Sequence, residues 1–250
     1  MRIDRLSKMK DYINTHGSVT MEQLCEVFKV SMNTVRRDIN NLQGSGDVKK
    51  VYGGVMSNNS RTLRLYNDRA ASNPSAKEQI GRAAARLVVD NDIIYVDAGT
   101  TTCEMIPHIS AQNVTIFTAS ISVLEAAAAH QNLNIIILPG KFSRETNSIT
   151  GSDAASYLEQ FNIQKAFMSA SGFVPSRGAT HASLAEAPTK NMAMRQSDIC
   201  YLLVDSSKFG VSTLINYADS SQFTAVITNS MTENTWRTQC SGLGIQLIEG

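Results

Sequence analysis

Apolar residues recur every three or four positions through most of the first 45 residues, which is the spacing of amphipathic helices. The pattern predicts one helix over about residues 3–15, a second that begins after Thr20 and a third that begins after Ser31. Thr20 and Gln23 have capping-box spacing, and Ser31 is a natural N-cap. Together the three short helices predict one small core.

The third predicted helix has a polar face without acidic residues. Its apolar positions are Met32, Val35, Ile39 and Leu42. At about 100° per residue Arg37 points away from this apolar side, with Asn33 beside it. An arginine or an asparagine side chain can make two hydrogen bonds to one base edge. The major groove is wide enough to admit a helix that carries such residues. The residues of this segment expected to contact DNA are Ser31, Asn33, Thr34, Arg36, Arg37 and Asn40.

Glycines bracket a short basic strand directly after the third helix, in the run QGSGDVKKVYGGV. This run predicts a wing whose Lys49, Lys50 and Tyr52 contact phosphates. Two adjacent arginines are in themselves typical of a solvated face, but the caps, the helix spacing and the basic hairpin together indicate a winged helix-turn-helix. Residues 1–56 carry a net charge of +3 and residues 57–250 a net charge of −2, which supports this interpretation.

The domain organisation follows from where apolar periodicity lapses. Residues 1–56 form the predicted DNA-binding domain, residues 57–75 (SNNSRTLRLYNDRAASNPS) a linker, and residues 76–250 a second domain for effector sensing and oligomerisation. In the second domain a helix over about 77–89 precedes alternating strands and helices. The predicted strands are 93–97, 114–120, 134–140, 165–172, 200–205 and 225–230. Near-continuous apolar strands of this kind predict an α/β fold with a parallel sheet covered on both faces.

Hydroxyl-rich segments follow several of these strands, at the edge where ligands bind in such sheets. Gly99 lets the backbone approach a ligand closely, and the hydroxyls of residues 100–102 suit an anion such as phosphate. Lys208 can pair with its charge. Turn chemistry alone explains such a loop equally well, and Glu186 with Lys190 has the spacing of an ordinary surface pair.

The motif S-x-x-T-V-R-R-D-I-x-x-L-x-x-x-G from Ser31 to Gly46, followed by Tyr52, Gly53 and Gly54, resembles the amino-terminal domain of DeoR-type bacterial transcription regulators. Three later segments resemble signatures of the same family's sensor domain. They are D-x-G-T-T-T from Asp97, E-x-x-x-K from Glu186, and D-S-S-K-F-G from Asp205. The resemblance therefore covers nearly all of the chain.

The resemblance implies a sensor domain similar in fold to ribose-5-phosphate isomerase. It also implies a phosphorylated sugar or derivative as effector, which changes the affinity of an oligomer for operator DNA and usually relieves repression. The effector residues expected on this basis, together with the strand ends, are Asp97, Gly99, Thr100, Thr101, Thr102, Ser120, Ser171, Gly172, Glu186, Lys190 and Lys208.

Two segments depart from the family pattern. Where the family commonly has T-N-S this chain has Ala119 in the middle position, and where it has G-A-D-G this chain has Ser171 in place of the carboxylate. Three functions therefore stay open: a sugar-phosphate-regulated repressor, an isomerase-like enzyme with a DNA-binding appendage, and a ligand-independent repressor. Isomerisation needs a positioned base, which Ser171 does not supply, so we favour the regulator and expect no catalytic residue.

Composition adds expectations about location and cofactors. No apolar run approaches the roughly 18 residues that span a bilayer, and the first residues lack a secretory segment, so we expect a cytoplasmic protein. The four cysteines and four histidines are scattered, so we expect no metal and no cofactor. Because helix-turn-helix proteins read paired half-sites about one duplex turn apart, we expect a homo-oligomer, either dimer or tetramer.

Overall fold

The computed structural model describes residues 2–16, 18–44, 47–51, 54–57, 65–230 and 234–250. The chain divides into two compact units, Met1–Leu63 and Arg64–Gly250, which are described separately below.

In its described residues, the first unit has three helices and a small antiparallel sheet. Its elements are α1 Arg2–His16, β1 Ser18–Thr20, α2 Met21–Phe28, α3 Met32–Gly44, β2 Val48–Val51 and β3 Gly54–Ser57. The strand order is β1-β3-β2, and both pairings are antiparallel. The buried core is formed by Met9, Ile13, Val19, Leu24, Val35, Ile39, Leu42, Val48 and Val55. This is the predicted three-helix core with a two-stranded wing.

The capping box at the start of α2 is present as predicted. The Thr20 backbone N–H donates to Gln23 Oε1 over 2.9 Å, and the Gln23 backbone N–H donates to Thr20 Oγ1 over 3.1 Å. The turn into α3 passes through Lys29, whose φ of 49° is left-handed. The two caps thus fix where α2 begins and ends, ahead of the short turn into α3.

An ion pair inside the first unit was not predicted. Asp38 is fully buried on the inner side of α3, where its Oδ2 accepts a hydrogen bond from Arg5 Nε of α1 over 2.8 Å and lies 2.8 Å from Arg5 Nη2 in an ion pair. Because this carboxylate points inward, the outer face of α3 stays free of acidic side chains. The pair also joins α1 to α3.

The second unit is larger and alternates helices with strands. Its helices are α4 Tyr66–Ala70, α5 Pro74–Ala85, α6 Thr100–Cys103, α7 Ile121–Ala127, α8 Ser152–Leu158, α9 Ala187–Arg195 and α10 Asn234–Gly242. Its strands are β4 Ile93–Val96, β5 Val114–Thr118, β6 Leu133–Ile137, β7 Lys141–Ser143, β8 Ser148–Thr150, β9 Ile163–Ser169, β10 Gly172–Val174, β11 Gly178–His181, β12 Ser197–Leu203, β13 Ile215–Ala218, β14 Ala225–Thr228 and β15 Leu247–Glu249.

A seven-stranded parallel sheet forms the centre of this unit, in the order β15-β14-β12-β9-β4-β5-β6. It contains all six predicted strands, so the predicted α/β class is confirmed. Side chains alternate between two covered faces: Ile94 and Val96 pack on one, and Tyr95 packs on the other. The strand order reverses between β4 and β9, which is where ligands bind in open α/β sheets.

The sequence did not predict the smaller sheets. Strands β10, β11 and β13 form a three-stranded antiparallel sheet, and β7 with β8 forms a hairpin. These strands have three or four residues each, too few for a two-residue alternation to stand out. The segment predicted as a linker also differs, because α4 lies within residues 57–75 and α5 already begins at Pro74. Proline favours the first position of a helix, but five-residue α4 has no periodic pattern.

No helix among these described residues has the length and apolarity that a membrane span requires.

The buried pair of the first unit predicts unequal effects of removing either partner. Arg5→Met leaves a fully buried carboxylate without its cation and is expected to cost about 3 kcal/mol. Asp38→Asn leaves Arg5, whose side chain is 26% exposed and can turn toward water, so about 1 kcal/mol is expected. Urea unfolding followed by far-UV circular dichroism measures both. The only tryptophan, Trp236, lies in the second unit, so its fluorescence is the internal control. Equal losses would contradict the burial difference.

Candidate functional site

The outer side of α3 is exposed as the sequence predicts. Its exposed side chains are Asn33, Arg36, Arg37, Asn40 and Asn41. Ser31 and Thr34 hold the start of the helix, because the Thr34 backbone N–H donates to Ser31 Oγ over 3.4 Å and the two hydroxyl oxygens are 3.0 Å apart. The backbone N–H groups that precede Thr34 at the start of this helix can face a phosphate.

The wing is attached to the outer face of α3 by a side-chain contact. Lys50 Nζ donates to Asn40 Oδ1 over 2.5 Å, and Lys49 on the same strand is exposed. Gly54 is required at the start of β3, since a Cβ there would lie 2.3 Å from the Val19 carbonyl oxygen. Tyr52, also expected to contact DNA, lies outside the described residues. The α3 face and the wing thus form one basic surface.

A buried ion pair lies at the switch point of the second unit. Asp97 follows β4, and its Oδ2 accepts hydrogen bonds from Lys190 Nζ, from the Ser169 backbone N–H over 2.8 Å and from Ser169 Oγ over 2.5 Å. Lys190 Nζ also donates to the Ser169 carbonyl over 3.0 Å and lies 5.0 Å from the ring centroid of Tyr217. The pair joins β4, β9 and α9, so Lys190 is part of the site and not of a surface pair.

The charge state of this pair follows from its surroundings. Burial by itself raises the pKa of the Asp97 carboxyl, but the Lys190 ammonium and the hydrogen bonds from Lys190 and Ser169 outweigh it and hold the pKa below its ordinary value. Asp97 therefore stays ionised at neutral pH. Tyr217, which donates from its hydroxyl to the Ser169 carbonyl over 2.8 Å, was missed in the sequence because it lies on the short strand β13.

The loop after β4 approaches β9 very closely. A Cβ on Gly99 would lie 2.3 Å from Ser169 Cβ, so only glycine fits there. Thr102 is fully buried, and its hydroxyl oxygen lies 2.7 Å from the Asp97 carbonyl and accepts from the Gly99 backbone N–H over 3.1 Å. Thr102 therefore stabilises the loop itself. Because the Thr102 hydroxyl is used within the loop, the hydroxyls of Thr100 and Thr101 are the ones left to contact a ligand.

A second buried polar cluster lies beside the first. Glu186 Oε2 is 2.5 Å from His181 Nε2, Glu186 Oε1 accepts from Ser148 Oγ over 2.9 Å, and Ser171 Oγ is 3.3 Å from His181 Nδ1. Thr146 Oγ1 lies 2.7 Å from Ser148 Oγ and continues the cluster. Sequence reasoning missed His181, Ser148 and Thr146, because they lie on strands of three or four residues or in the turn between two such strands, which are too short to recognise.

The protonation of His181 and Glu186 can be assigned from their environment. Burial and the neighbouring Lys190 ammonium lower the pKa of His181 below its ordinary value, despite the favourable contact with Glu186. Burial by itself raises the pKa of Glu186, but the His181 hydrogen bond and nearby positive charges outweigh burial and hold the pKa below its ordinary value. At neutral pH the imidazole is therefore uncharged, with Nε2–H donating to Glu186 and Nδ1 accepting from the Ser171 hydroxyl.

Lys208 lies at a third strand end, 3.8 Å from Asp205 Oδ2, and its side chain is 27% exposed. Asp205 Oδ1 accepts from Asn73 Nδ2 over 3.1 Å and from the Ser207 backbone N–H over 3.0 Å. Burial raises the pKa of Asp205, but Lys208, Ser207 and Asn73 together lower it below its ordinary value. Lys208 is thus a partly exposed cation at the rim.

The remaining predicted residues have mainly local contacts. Ser120 is fully buried and caps α7, since the Val123 backbone N–H donates to its Oγ over 3.2 Å. Gly172 is required by close packing, because a Cβ there would lie 2.3 Å from the Val211 carbonyl oxygen. All four cysteines are free thiols, and the described residues contain no group of three or more His, Cys, Asp or Glu that could hold a metal ion.

Family models match both units. A model of the DeoR-like helix-turn-helix domain matches residues 5–61, and a model of the DeoR C terminal sensor domain matches residues 72–230, more than half of the chain. The chain belongs to the DeoR family. The resemblance expected from the sequence motifs is therefore confirmed.

DeoR-family relatives are similar over almost the whole length. The HTH-type transcriptional regulator IolR of Bacillus subtilis (strain 168) is 38% identical over 250 residues, covering 99% of this chain and 100% of that protein. The lactose phosphotransferase system repressor of Streptococcus mutans serotype c is 30% identical over 230 residues, covering 90% and 91%. This chain is accordingly a regulator of transcription and not an enzyme.

Solved structures are similar to part of this DeoR-family chain. Ribose 5-phosphate isomerase A of Methanocaldococcus jannaschii has a TM-score of 0.41 and 16% identity, covering 55% of each chain. The eIF2B delta protein of Chaetomium thermophilum has a TM-score of 0.46 and 16% identity, covering 66% of this chain and 58% of that one.

Both departures from the common DeoR-family pattern lie near the buried clusters. Ser171, in place of the usual carboxylate, contacts His181, so a neutral hydroxyl and a neutral imidazole stand where the family commonly has a negative charge. Ala119 is 4% exposed and packs in the core at the end of β5. This DeoR-family site is therefore less negative than the family pattern alone implies.

The lowered pKa of His181 predicts a specific loss of stability in mild acid. Below pH 6.5 the unfolded chain takes up a proton that the folded chain resists, so stability falls as the pH drops toward the folded pKa. The expected loss is about 1.4 kcal/mol for each unit between the two pKa values. We expect His181→Gln to flatten this dependence, measured by urea titration of Trp236 fluorescence between about pH 5 and 7.

The matched control for this titration is His130→Gln, a histidine outside the site. An unchanged acid dependence in His181→Gln, or an equal flattening in His130→Gln, would contradict the assignment of a neutral buried His181.

Proposed function

We propose that this chain is a sequence-specific DNA-binding repressor of carbohydrate-metabolism genes, and that a phosphorylated sugar or derivative sets its affinity for the operator. The observation that carries the proposal is the pairing, in one DeoR-family chain, of an acid-free arginine face on α3 with a buried lysine site at the switch point of the sensor unit. The names of its relatives, among them the lactose phosphotransferase system repressor, support the sugar connection.

The DNA-binding half of the proposal assigns different roles to neighbouring residues. Arg37 and Asn33, on the exposed side of α3, read base edges in the major groove. Arg36, Lys49 and Lys50 contact phosphates and fix the position of the helix on the duplex. Asn40 contributes through its hydrogen bond with Lys50, which keeps the wing beside the helix.

The effector half of the proposal rests on the local charge balance. Asp97 is paired with Lys190, Glu186 with His181, and Asp205 lies near Lys208. Lys77 is 3% exposed near Asp205 and adds a further positive charge at this edge. Because His181 is neutral, these three carboxylates and three ammonium groups balance one another. The partly exposed Lys208 is then the cation that an anionic phosphoryl group can pair with, with Thr100 and Thr101 as hydroxyl donors. Ser171 Oγ, which donates to His181, can accept a hydrogen bond from a sugar hydroxyl.

Two further features complete the proposal. A helix-turn-helix protein that reads paired half-sites acts as a homo-oligomer, and it acts in the cytoplasm, where the bacterial chromosome is. A second candidate, a ligand-independent repressor, is favoured by Ala119 and Ser171, which lack the amide and carboxylate of the common pattern. A ligand screen separates the two, because a ligand at 100 times its dissociation constant stabilises the folded chain by about 2.7 kcal/mol.

The first test is selection of bound fragments from the host genome, followed by affinity measurements on the selected site. Arg37→Ala is expected to cost about 1 to 3 kcal/mol at one base position and to relax discrimination there. Lys49→Ala is the matched control. It should lower the affinity for all DNA sequences by the same factor and reduce the dependence of log affinity on log salt concentration by about one unit. Absence of any preferred fragment in the wild-type chain would overturn the function, and a uniform loss in Arg37→Ala would make Arg37 a phosphate contact.

The second test concerns Lys208 and uses a library of sugar phosphates. Trp236 is a natural reporter, because Gly210 lies against its ring and Phe209 has its ring centroid 6.0 Å away, in the loop that carries Lys208. We expect a bound sugar phosphate to change Trp236 fluorescence and release the operator, and Lys208→Ala to abolish both while leaving operator affinity intact. Lys141→Ala, an exposed lysine on β7, is the control. A full response in Lys208→Ala would remove Lys208 from the site.

A further inference from the structure

The segment that follows the DNA-binding unit lies across the edge of the sheet where the proposed effector site is. We call residues 65–73, which comprise Leu65, α4 and the turn after it, the strap. The Tyr66 backbone N–H donates to the Glu145 carbonyl over 3.0 Å, and at the other end Asn73 Nδ2 donates to Asp205 Oδ1 over 3.1 Å. The strap is therefore bonded both to the β7–β8 hairpin and to the loop that carries Lys208.

The middle of the strap contacts the loops on either side of the Asp97 site. The Tyr66 side chain interacts with Ser122 of α7 and with Cys103 of α6, and burial raises the pKa of its hydroxyl to about 12. Since α6 is the helix formed by the residues after Gly99, the strap is in direct contact with the segment proposed to face the phosphoryl group. A movement of α6 would therefore also move the strap.

Arg69 brings a positive charge from the strap to the two buried carboxylates. Its guanidinium lies 5.5 Å from the Tyr66 ring centroid. Burial lowers the pKa of Arg69, and the charges of Glu186, Tyr66 and Asp97 act in the opposite direction. A phosphoryl group that enters beside Asp97 and Glu186 introduces negative charge near this guanidinium, so the free energy of holding the strap in place depends on whether the site is occupied.

Lys77 of α5 fastens the strap to the body of the sensor unit. It is 3% exposed, and its Nζ donates to the carbonyls of Arg69 and Ala70, the last of these over 3.4 Å. Burial lowers its pKa to about 8, although Asp205 and Glu104 attract the charge. Burying an ammonium is costly, and here its hydrogen bonds go to backbone carbonyls at the end of α4. The chain thus maintains a costly charge to hold one short segment.

We propose that the strap is the coupling element of this regulator. Arg69 interacts with an anion in the effector site, and Lys77 fixes the strap to α5. Binding of the anion thereby changes the strap, and the change is transmitted along the chain to the DNA-binding unit. The inference rests on the proposed function. No other chain segment leads from residues 1–63 into the sensor unit, so any change in the strap is applied at the point where the two units are joined. By linkage, DNA binding changes anion affinity by the same factor.

The first experiment measures operator affinity of full-length variants without any added ligand. Lys77→Met loosens the strap and is expected to change the affinity by about fivefold or more, the lower limit of typical coupling. The matched control is Lys165→Met, because Lys165 is also a mostly buried lysine that donates to a backbone carbonyl, that of Leu87, over 3.0 Å, but it lies at the opposite end of β9. Lys165→Met should leave operator affinity within about twofold of wild type.

The second experiment uses inorganic phosphate as the anion and follows hydrogen exchange of the strap amides by mass spectrometry. At ten times its dissociation constant, phosphate is expected to slow exchange at residues 65–73 about elevenfold relative to chloride at equal ionic strength. Arg69→Gln should abolish this protection while leaving the amides of β9 unchanged. Should Lys77→Met fail to fold, Asn73→Gly replaces it in the first experiment, because it removes the hydrogen bond from the strap to Asp205 at a position whose φ of 51° glycine tolerates.

Equal operator affinities in Lys77→Met and Lys165→Met would overturn the coupling role of the strap. No slowing at residues 65–73 in the wild-type chain, or undiminished slowing in Arg69→Gln, would overturn the role of Arg69. These results are distinguishable from failure of the proposed function, in which the wild-type chain prefers no genomic fragment. In that case the phosphate experiment still decides whether the strap senses an anion.

Discussion

The hydrogen-bonded ion pair between Asp97 and Lys190 is the constraint on which the second unit depends. Two charges removed from water are stable only when their remaining hydrogen-bonding capacity is met, and here Ser169 and the Tyr217 ring complete the environment. Because the partners come from β4, β9 and α9, the pair fixes the crevice at the switch point. The close approach of Gly99 to Ser169 follows from the same arrangement.

Around this pair lie buried polar groups, with one partly exposed cation at the rim of the site. Asp97 and Glu186 are ionised and buried, His181 is neutral, and Lys208 is partly exposed. A phosphorylated polyol likewise has a charged end and a hydroxyl-bearing end, so its two ends can contact the charged and the neutral groups of the site. A site of this kind orients its ligand by charge at one end and by hydrogen bonds at the other, so that recognition and orientation come from the same residues.

The sequence predicted those features that depend on local pattern. The three helices of the first unit, the exposed position of Arg37 and the six longer parallel strands all leave a periodic or capping signal within a few residues. The position of Asp97 after a buried strand was also readable, because a parallel sheet brings all such strand ends to one edge.

The features that were missed depend on contacts between distant positions. Arg5 and Asp38 are 33 positions apart, and Lys190 and Asp97 are 93 positions apart, so spacing gives no indication that either pair meets. Tyr217 and His181 lie on strands of four residues, for which apolar alternation is too short to recognise. The contacts of α4 were missed for a different reason. A polar composition indicates that a segment is a linker, but it does not show which residues the segment contacts.

The hydrogen bond between Lys50 and Asn40 has a consequence for how such regulators diverge. A substitution of Asn40 on α3 removes the acceptor of this hydrogen bond and so also releases the Lys50 ammonium on the wing. The outer face of the helix and the position of the wing therefore depend on each other through this contact. A recognition helix transplanted from another member of the family should retain its original preference only when the residue at position 50 is transplanted with it.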